Sequence, residues 1–193
     1  MKFKTPEIKH VSTWAIVALL VALVAISRIW FADIPNFKPV AAVGLFAGFL
    51  FFRKRIALAL LFAGLIISDF YIGTYSLSLA IFVYGGLLVS VLLGARLNHS
   101  DQTRPVSALP LVTTILVASL VFFFVSNFGF WLTTGIYTKD LNGLWLCFVN
   151  AIPFFKYTLA GDAIFGVSLF GLHAAFFALQ SRAWLPLMSV ERK

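Results

Sequence analysis

The run VSALPLVTTILVASLVFFFVSNF, residues 106–128, decides the fold class because it contains no Asp, Glu, Lys or Arg. About 20 helical residues, each rising about 1.5 Å, cross the roughly 30 Å hydrocarbon core of a bilayer. The run therefore predicts a transmembrane helix. The whole chain has the same character: it has 193 residues, of which 61% are hydrophobic and 11% charged. A soluble domain carries roughly 25% charged residues, so the composition predicts a single-domain, all-α integral membrane protein.

Five further apolar runs are predicted to span the membrane. They cover residues 11–30, 40–52, 56–71, 76–94 and 161–184, and the turn Arg53-Lys54-Arg55 joins the second and third in a hairpin. A helix over 142–155 is too short to cross, and we expect it to lie on the outer side, either at the interface or tucked into the protein. The first run has a basic start and a passable cleavage site, but it is longer than the apolar part of a signal peptide. We therefore predict that it is a span, with cleavage as the alternative.

The charged residues predict the orientation. Six spans place both termini on one side, and the termini and loops of that side carry eleven Lys and Arg against three Asp and Glu. The other side carries four cations and four anions. Because cytoplasmic loops are enriched in Lys and Arg, we predict cytoplasmic termini and a multi-pass protein of a bacterial inner membrane. The cations lie at the ends of apolar runs, which argues against a nucleic-acid partner.

Polar residues concentrate near the predicted outer ends of the spans, whereas the inner halves are almost entirely aliphatic or Phe. Because ionisable groups at membrane depth are costly and usually line a cavity, this asymmetry predicts a pocket open to the outside. The candidate substrate-binding residues are Asn36, Phe37, Asp69, Asn127, Trp131, Tyr137, Trp145, Asn150, Phe154, Lys156, Tyr157 and Asp162.

These residues have an alternative interpretation as helix caps and an interfacial aromatic belt. Asp162 precedes an apolar run and suits the N-cap of a helix equally well. Asp69 lies at a helix C-terminus, where the helix dipole disfavours an anion. An ion-paired or functional role is therefore favoured for Asp69, with Lys156 as the candidate partner.

The first span carries a stripe of small residues, Ala15, Ala18, Ala22 and Ala25. Small residues allow close helix–helix approach in lipid. The stripe fits either internal packing or a docking face for another membrane subunit.

Catalytic motifs are absent from the sequence. It contains no phosphate-binding Gly-x-x-x-x-Gly-Lys-Ser/Thr loop and no His-Glu-x-x-His metal motif. Ser168 and His173 point about 140° apart on one helix, at roughly 100° per residue, which argues against a serine hydrolase. We therefore predict that the protein is not an enzyme and holds no cofactor or metal. Cys147 is the only cysteine, and its role and that of His173 stay open.

The pieces Pro35-Asn36-Phe37-Lys38-Pro39, Ser68-Asp69, Ser126-Asn127 and Ala151-Ile152-Pro153-Phe154-Phe155 together resemble a known family. In order and spacing, they are similar to an S-component-like family related to the substrate-specificity (S) components of energy-coupling-factor (ECF) transporters. The segments 126–131 and 147–162 extend the resemblance, so that it covers most of the chain.

The resemblance implies uptake of a vitamin or other micronutrient. S components bind a small molecule from outside and work with a membrane coupling subunit and two ATPases. Their first helix carries an Ala-xxx-Ala face for the coupling subunit, which maps here onto Ala18 and Ala22. Some members act alone, including a cobalamin-binding type that places a cysteine on the cobalt, for which Cys147 is the candidate here.

Two other functions stay open at this point. A membrane scaffold or assembly protein without a small ligand would explain the small-residue faces but not the polar ring. A membrane enzyme would have to use Asp69, Asp162 or Cys147 as acid, base or nucleophile.

Overall fold

The computed structural model describes residues 13–51, 53–73, 75–97 and 105–190, with side chains as far as residue 179. These residues form six α-helices and no strand. The helices are α1 (Thr13–Trp30), α2 (Val40–Leu50), α3 (Lys54–Ile72), α4 (Leu77–Arg96), α5 (Ala108–Thr133) and α6 (Leu141–Val190). The all-helical fold predicted from the sequence is thus confirmed for the described residues.

Five of the six helices are long and apolar enough to cross a membrane, and α2 is the exception. With 11 residues, α2 extends about 16 Å at 1.5 Å per residue, roughly half the thickness of a hydrocarbon core. Of the six predicted spans, α2 is thus the one that is too short to cross a hydrocarbon core by itself. Apolarity alone does not distinguish a lipid-exposed helix from one that is short and buried inside the bundle.

The short helix α2 forms the centre of the bundle. Every residue from Val40 to Phe49 is buried, and the closest neighbour of α2 is α4. Gly94 of α4 lies against the backbone of Leu45, and Gly48 of α2 lies against the carbonyl of Val91. A Cβ at either glycine would collide with backbone, so these glycines permit the close approach of the two helices.

Helices α1 and α3 pack side by side and run in the same direction. Gly64 of α3 faces Val24 of α1, and Arg28 near the end of α1 reaches Asp69 near the end of α3. We call the end of the bundle where α1 and α3 terminate and α4 begins the pocket end. Because α1 and α3 are parallel, the segment that connects them must return to the other end of the bundle, and α2 runs in that opposite direction.

The alanine stripe of α1 lies beside its contact with α3. Ala15 and Ala18 are exposed, Ala22 is half-buried and Ala25 is buried. The internal packing interpretation therefore accounts for Ala25, whereas Ala15 and Ala18 remain on the surface of the described chain.

Helix α6 replaces two predicted elements. We predicted a separate short helix at 142–155 and a span at 161–184, but residues 141–190 form one continuous helix. Its 50 residues extend about 75 Å. Gly161 does not end the helix, because a glycine inside a helix costs only about 1 kcal/mol and its bare Cα packs against the backbone of Lys38. Helix α5 likewise continues past the predicted end at Phe128 to Thr133.

Candidate functional site

A cavity of about 390 Å³, the wide cavity, opens at the pocket end between α4, α5 and α6. This volume falls within the roughly 300–1,000 Å³ of small-molecule sites, which are typically apolar with a few placed polar groups. Its lining follows that pattern and consists of Asn36, Tyr75, Leu79, Val83, Phe122, Ser126, Asn127, Phe130, Tyr137, Cys147, Asn150, Ala151 and Phe154.

Three asparagines from different segments meet in the wide cavity. Asn127 comes from the last turns of α5, Asn150 from the first turns of α6 and Asn36 from the loop before α2. Asn36 has a φ of 58°, a left-handed conformation that Asn adopts more readily than most residues. Asn150 Nδ2 donates to the hydroxyl of Tyr137 at 3.1 Å, and Asn127 Nδ2 donates to the carbonyl of Phe123 at 2.7 Å. The side-chain carbonyl oxygens of these two amides are therefore available to a ligand.

A second, narrower cavity continues from the wide cavity into the bundle. It shares Asn36, Tyr75, Val83 and Phe122 with the wide cavity and holds about 60 Å³. Its remaining lining residues are Arg28, Lys38, Val40, Ala41, Leu65, Leu87, Thr158 and Asp162. The narrow cavity is therefore where the charged groups of the site lie.

Arg28 and Asp69 form a buried ion pair beside the narrow cavity. Arg28 Nη2 lies 2.6 Å from Asp69 Oδ1, and both side chains are about 5% exposed or less. Arg28 Nη1 donates to Ser68 Oγ at 2.6 Å and to the carbonyl of Leu65 at 3.3 Å. The Tyr84 hydroxyl donates to Asp69 Oδ2. The guanidinium and carboxylate thus have the extra hydrogen bonds that a buried pair needs to offset desolvation.

Asp162 connects three helices at the base of the narrow cavity. Its carboxylate accepts the Ala42 amide at 3.2 Å and the Ser119 hydroxyl at 2.8 Å. We had considered Asp162 as the N-cap of its own helix, but it lies inside α6. Instead, it satisfies one of the amides that are free at the start of α2, and so anchors that helix to α5 and α6.

Lys38 lies in the loop before α2 and lines the narrow cavity. Burial, and then the positive charge of Arg28, lower the pKa of the Lys38 ammonium, with Asp69 acting in the opposite direction. Among the side chains that the structure describes, none forms an ion pair or hydrogen bond with this ammonium. Lys38 is thus a half-buried cation with no described partner.

Six of the twelve sequence-predicted site residues line the two cavities. Asn36, Asn127, Tyr137, Asn150 and Phe154 line the wide cavity, and Asp162 lines the narrow one. The other six are absent from both linings and comprise Phe37, Asp69, Trp131, Trp145, Lys156 and Tyr157.

The predicted site residues that line neither cavity lie on the surface or contact other side chains. Phe37 packs edge-on against Phe31 at 5.2 Å between ring centroids, and Trp145 is 70% exposed. Lys156 lies over the ring of Tyr157 at 4.9 Å on the exposed side of α6. The suggested pairing of Asp69 with Lys156 was therefore wrong, and Arg28 takes that place.

Trp131 also lies outside both cavities, because it closes the turn between α5 and α6. Its indole Nε1 donates to the carbonyl of Thr138 at 2.9 Å. Lys139 bonds the Trp131 carbonyl and lies 5.5 Å from the centre of its ring. These contacts fix the turn that brings Asn127 and Asn150 to the same cavity.

The sequence-based list of site residues does not include Arg28 or Lys38, because cations at the ends of apolar runs are ordinary features of a membrane protein. One signal was available for Arg28. A cation in the last turn of a long apolar helix and an anion in the last turns of another are natural partners, since intramembrane charges pair with one another.

Cys147 lines the wide cavity and is buried. Its Sγ lies 3.5 Å from the main-chain carbonyl oxygen of Asn127. Within the described part of the chain, no cluster of three or more His, Cys, Asp or Glu residues could hold a metal ion.

Asp140 directly precedes α6 and caps its first turn, which lies beside the wide cavity. Its carboxylate accepts the Gly143 amide at 2.7 Å and the Thr138 hydroxyl at 2.9 Å, and the Gly143 bond followed by the Thr138 bond lowers the pKa of Asp140. A lowered pKa means that this cap is fully present above the ordinary pKa of 3.8 and is lost as the pH falls through the lowered value.

We expect Asp140→Ala to speed amide hydrogen exchange at residues 142–144 several-fold at neutral pH, because the first turn of α6 loses its cap. Hydrogen exchange followed by mass spectrometry measures this, with Asp33→Ala as a control at an exposed loop carboxylate. Unchanged exchange at 142–144 would mean that the cap contributes nothing to this turn.

A model of a family described as "Family of unknown function (DUF6580)" matches residues 8–184 of the chain. No curated protein and no solved structure gives a significant match.

Proposed function

Because this chain belongs to the DUF6580 family of unknown function, we propose its role from its own cavity: it is a substrate-binding membrane subunit that captures a small organic molecule at the pocket end. The observation that carries this proposal is the wide cavity. It places three asparagines and two tyrosines around a volume of about 390 Å³ in a chain of which only 11% is charged.

The chemistry of the lining supports capture of a ligand over a purely structural role. The amides and tyrosine hydroxyls supply directional hydrogen bonds, while Phe122, Phe130 and Phe154 supply apolar walls. The side-chain oxygens of Asn127 and Asn150 accept no hydrogen bond from any described residue, and both residues line the cavity, so a bound ligand could donate to them.

Uptake of a micronutrient is the transport role that we attach to this site. In this proposal the pocket end faces outward across a bacterial inner membrane, and the cytoplasmic face of the bundle carries the basic turn Arg53-Lys54-Arg55. The binding subunit acts alone or with an energising module that docks on the exposed Ala15 and Ala18. A vitamin small enough for the wide cavity is one candidate substrate class.

Retention of a small molecule from a cell extract tests the proposal. Protein purified gently in detergent is incubated with the low-molecular-weight fraction of a bacterial extract, washed and analysed by native mass spectrometry. We expect a defined bound mass that is neither detergent nor phospholipid, and visible absorbance would indicate a corrinoid or flavin-like compound. Recovery of lipid alone after this incubation would favour the scaffold interpretation.

The docking face has a separate test. We expect Ala18→Trp to leave the affinity for the retained compound unchanged while slowing its uptake into cells several-fold, because a large side chain on this exposed position blocks a partner helix. Leu19→Trp, at a neighbouring position that is 69% exposed, is the matched control. Equal uptake by the two variants would contradict docking at the alanine stripe.

A further inference from the structure

We propose that the narrow cavity binds an anionic group of the ligand, a carboxylate or a phosphate, with Lys38 as its charge partner. This inference rests on the proposed function and names the chemical class of the substrate. In this arrangement the anionic group lies deep in the bundle, and the rest of the molecule fills the wide cavity.

The charges around the narrow cavity are unevenly satisfied. Arg28 is neutralised by Asp69 at 2.6 Å. Asp162 accepts hydrogen bonds at both carboxylate oxygens, but no described cation pairs with it, so its charge acts against the attraction of Lys38 for an anion. Lys38 is the remaining cation in the lining, and no described side chain pairs with it. An unpaired charge is expensive to bury, so an anion entering this cavity satisfies a group that the protein leaves unsatisfied.

The backbone adds positive potential at the same place. Val40 and Ala41, the first two residues of α2, line the narrow cavity beside Lys38. The first amides of a helix have no partner inside it, and the helix dipole makes this end positive. Asp162 satisfies only the amide of Ala42, which leaves the two preceding amides without a described acceptor.

The lining predicts the shape of the ligand as well as its charge. Asn36, Tyr75, Val83 and Phe122 belong to both cavities, so one molecule can occupy the two together. Beyond them, Phe130, Tyr137 and Phe154 line the wide cavity. The class that fits is an anion with a planar or aromatic body, large enough to reach from Lys38 to Asn150.

The test compares two fractions of one extract. A bacterial low-molecular-weight extract is separated on an anion-exchange resin, and each fraction is offered to the full-length wild-type protein in detergent before native mass spectrometry. We expect retention from the anion-exchange-bound fraction alone. Retention only from the unbound, neutral or cationic fraction would overturn the anion inference and leave the proposed function standing, whereas retention from neither fraction would remove both.

Variants of Lys38 supply the second arm. We expect Lys38→Met to weaken binding of the retained compound at least about tenfold, as expected when a charge-assisted hydrogen bond of about 1.4 kcal/mol or more is lost. Lys38→Arg should recover most of that affinity because it keeps the charge. Lys156→Met, which removes an exposed lysine of α6, should have no effect.

Each variant is compared with the wild type by its melting temperature, so that loss of binding is not confused with unfolding. A Lys38→Met protein that melts like the wild type and binds the compound equally well would overturn the inference. Equal weakening by Lys38→Met and Lys38→Arg, both folded, would also overturn it, since the effect would then depend on shape and not on charge.

Discussion

Replacing Arg28 with Met is expected to lower the free energy of unfolding by about 3–5 kcal/mol, because it leaves the buried carboxylate of Asp69 without its charge partner. The loss also removes the hydrogen bonds to Ser68 and to the Leu65 carbonyl. Only the Tyr84 hydroxyl would still bond to Asp69. Equilibrium unfolding in mixed detergent–SDS micelles measures the change.

Two controls separate the ion pair from general disturbance. Asp33→Asn changes an exposed carboxylate in the loop after α1 and should be close to neutral. The double variant Arg28→Met/Asp69→Leu removes both charges, and we expect it to recover most of the loss, since buried pairs can often be replaced by apolar residues without cost. A loss below about 1 kcal/mol for Arg28→Met, typical of an exposed pair, would contradict the buried network.

The second large effect is expected from filling the wide cavity. Ala151 lines it and is half-buried, whereas the next residue, Ile152, is 60% exposed and lines neither cavity. Ala151→Trp introduces a large side chain into the cavity that Asn127 and Asn150 also line. We expect it to weaken binding of the retained compound by about a hundredfold or more, a change of about 2.7 kcal/mol.

Ile152→Trp is the matched control, because it introduces the same side chain one position along α6 on the exposed face. We expect it to bind like the wild type, and both variants to melt close to the wild-type temperature. Equilibrium binding of the compound to the three proteins measures the difference. Wild-type affinity in Ala151→Trp would show that the ligand lies elsewhere.

The helical membrane fold could be predicted because composition determines it. A run such as residues 106–128, free of charged residues, has few alternatives in lipid, where the backbone must satisfy its own hydrogen bonds. The short helix α2 was harder to predict. Its sequence, VAAVGLFAGFL, is as apolar as a true span, and only its contacts with α4 distinguish a buried helix from a lipid-exposed one.

Half of the predicted site residues do line the cavities, because their positions in the sequence set their depth in the membrane. Asn36, Asn127 and Asn150 lie near the ends of apolar runs, and residues at the same depth can meet in one cavity. Which side of a helix each residue occupies depends on the rotation of the helices, which packing determines. Lys156 and Asn150, both on α6, therefore separated into an exposed position and a cavity position.

The Arg28–Asp69 pair and the length of α6 could not be predicted from the sequence, for different reasons. The two ionic partners are 41 positions apart, on two helices that pack directly against each other, and no local pattern predicts that contact. Helix α6 continues through Pro153 and Gly161 because residues on both sides of them pack against α5, as the contact between Phe123 and Phe155 illustrates.

The most direct measurement is an experimental structure of the protein loaded with the compound that it retains. The account predicts density for one small molecule that spans the two cavities, touching Asn127 and Asn150 in the wide cavity and ending beside Lys38 in the narrow one. A loaded protein with both cavities empty, filled by a lipid chain, or collapsed, and with the compound bound elsewhere, would contradict it.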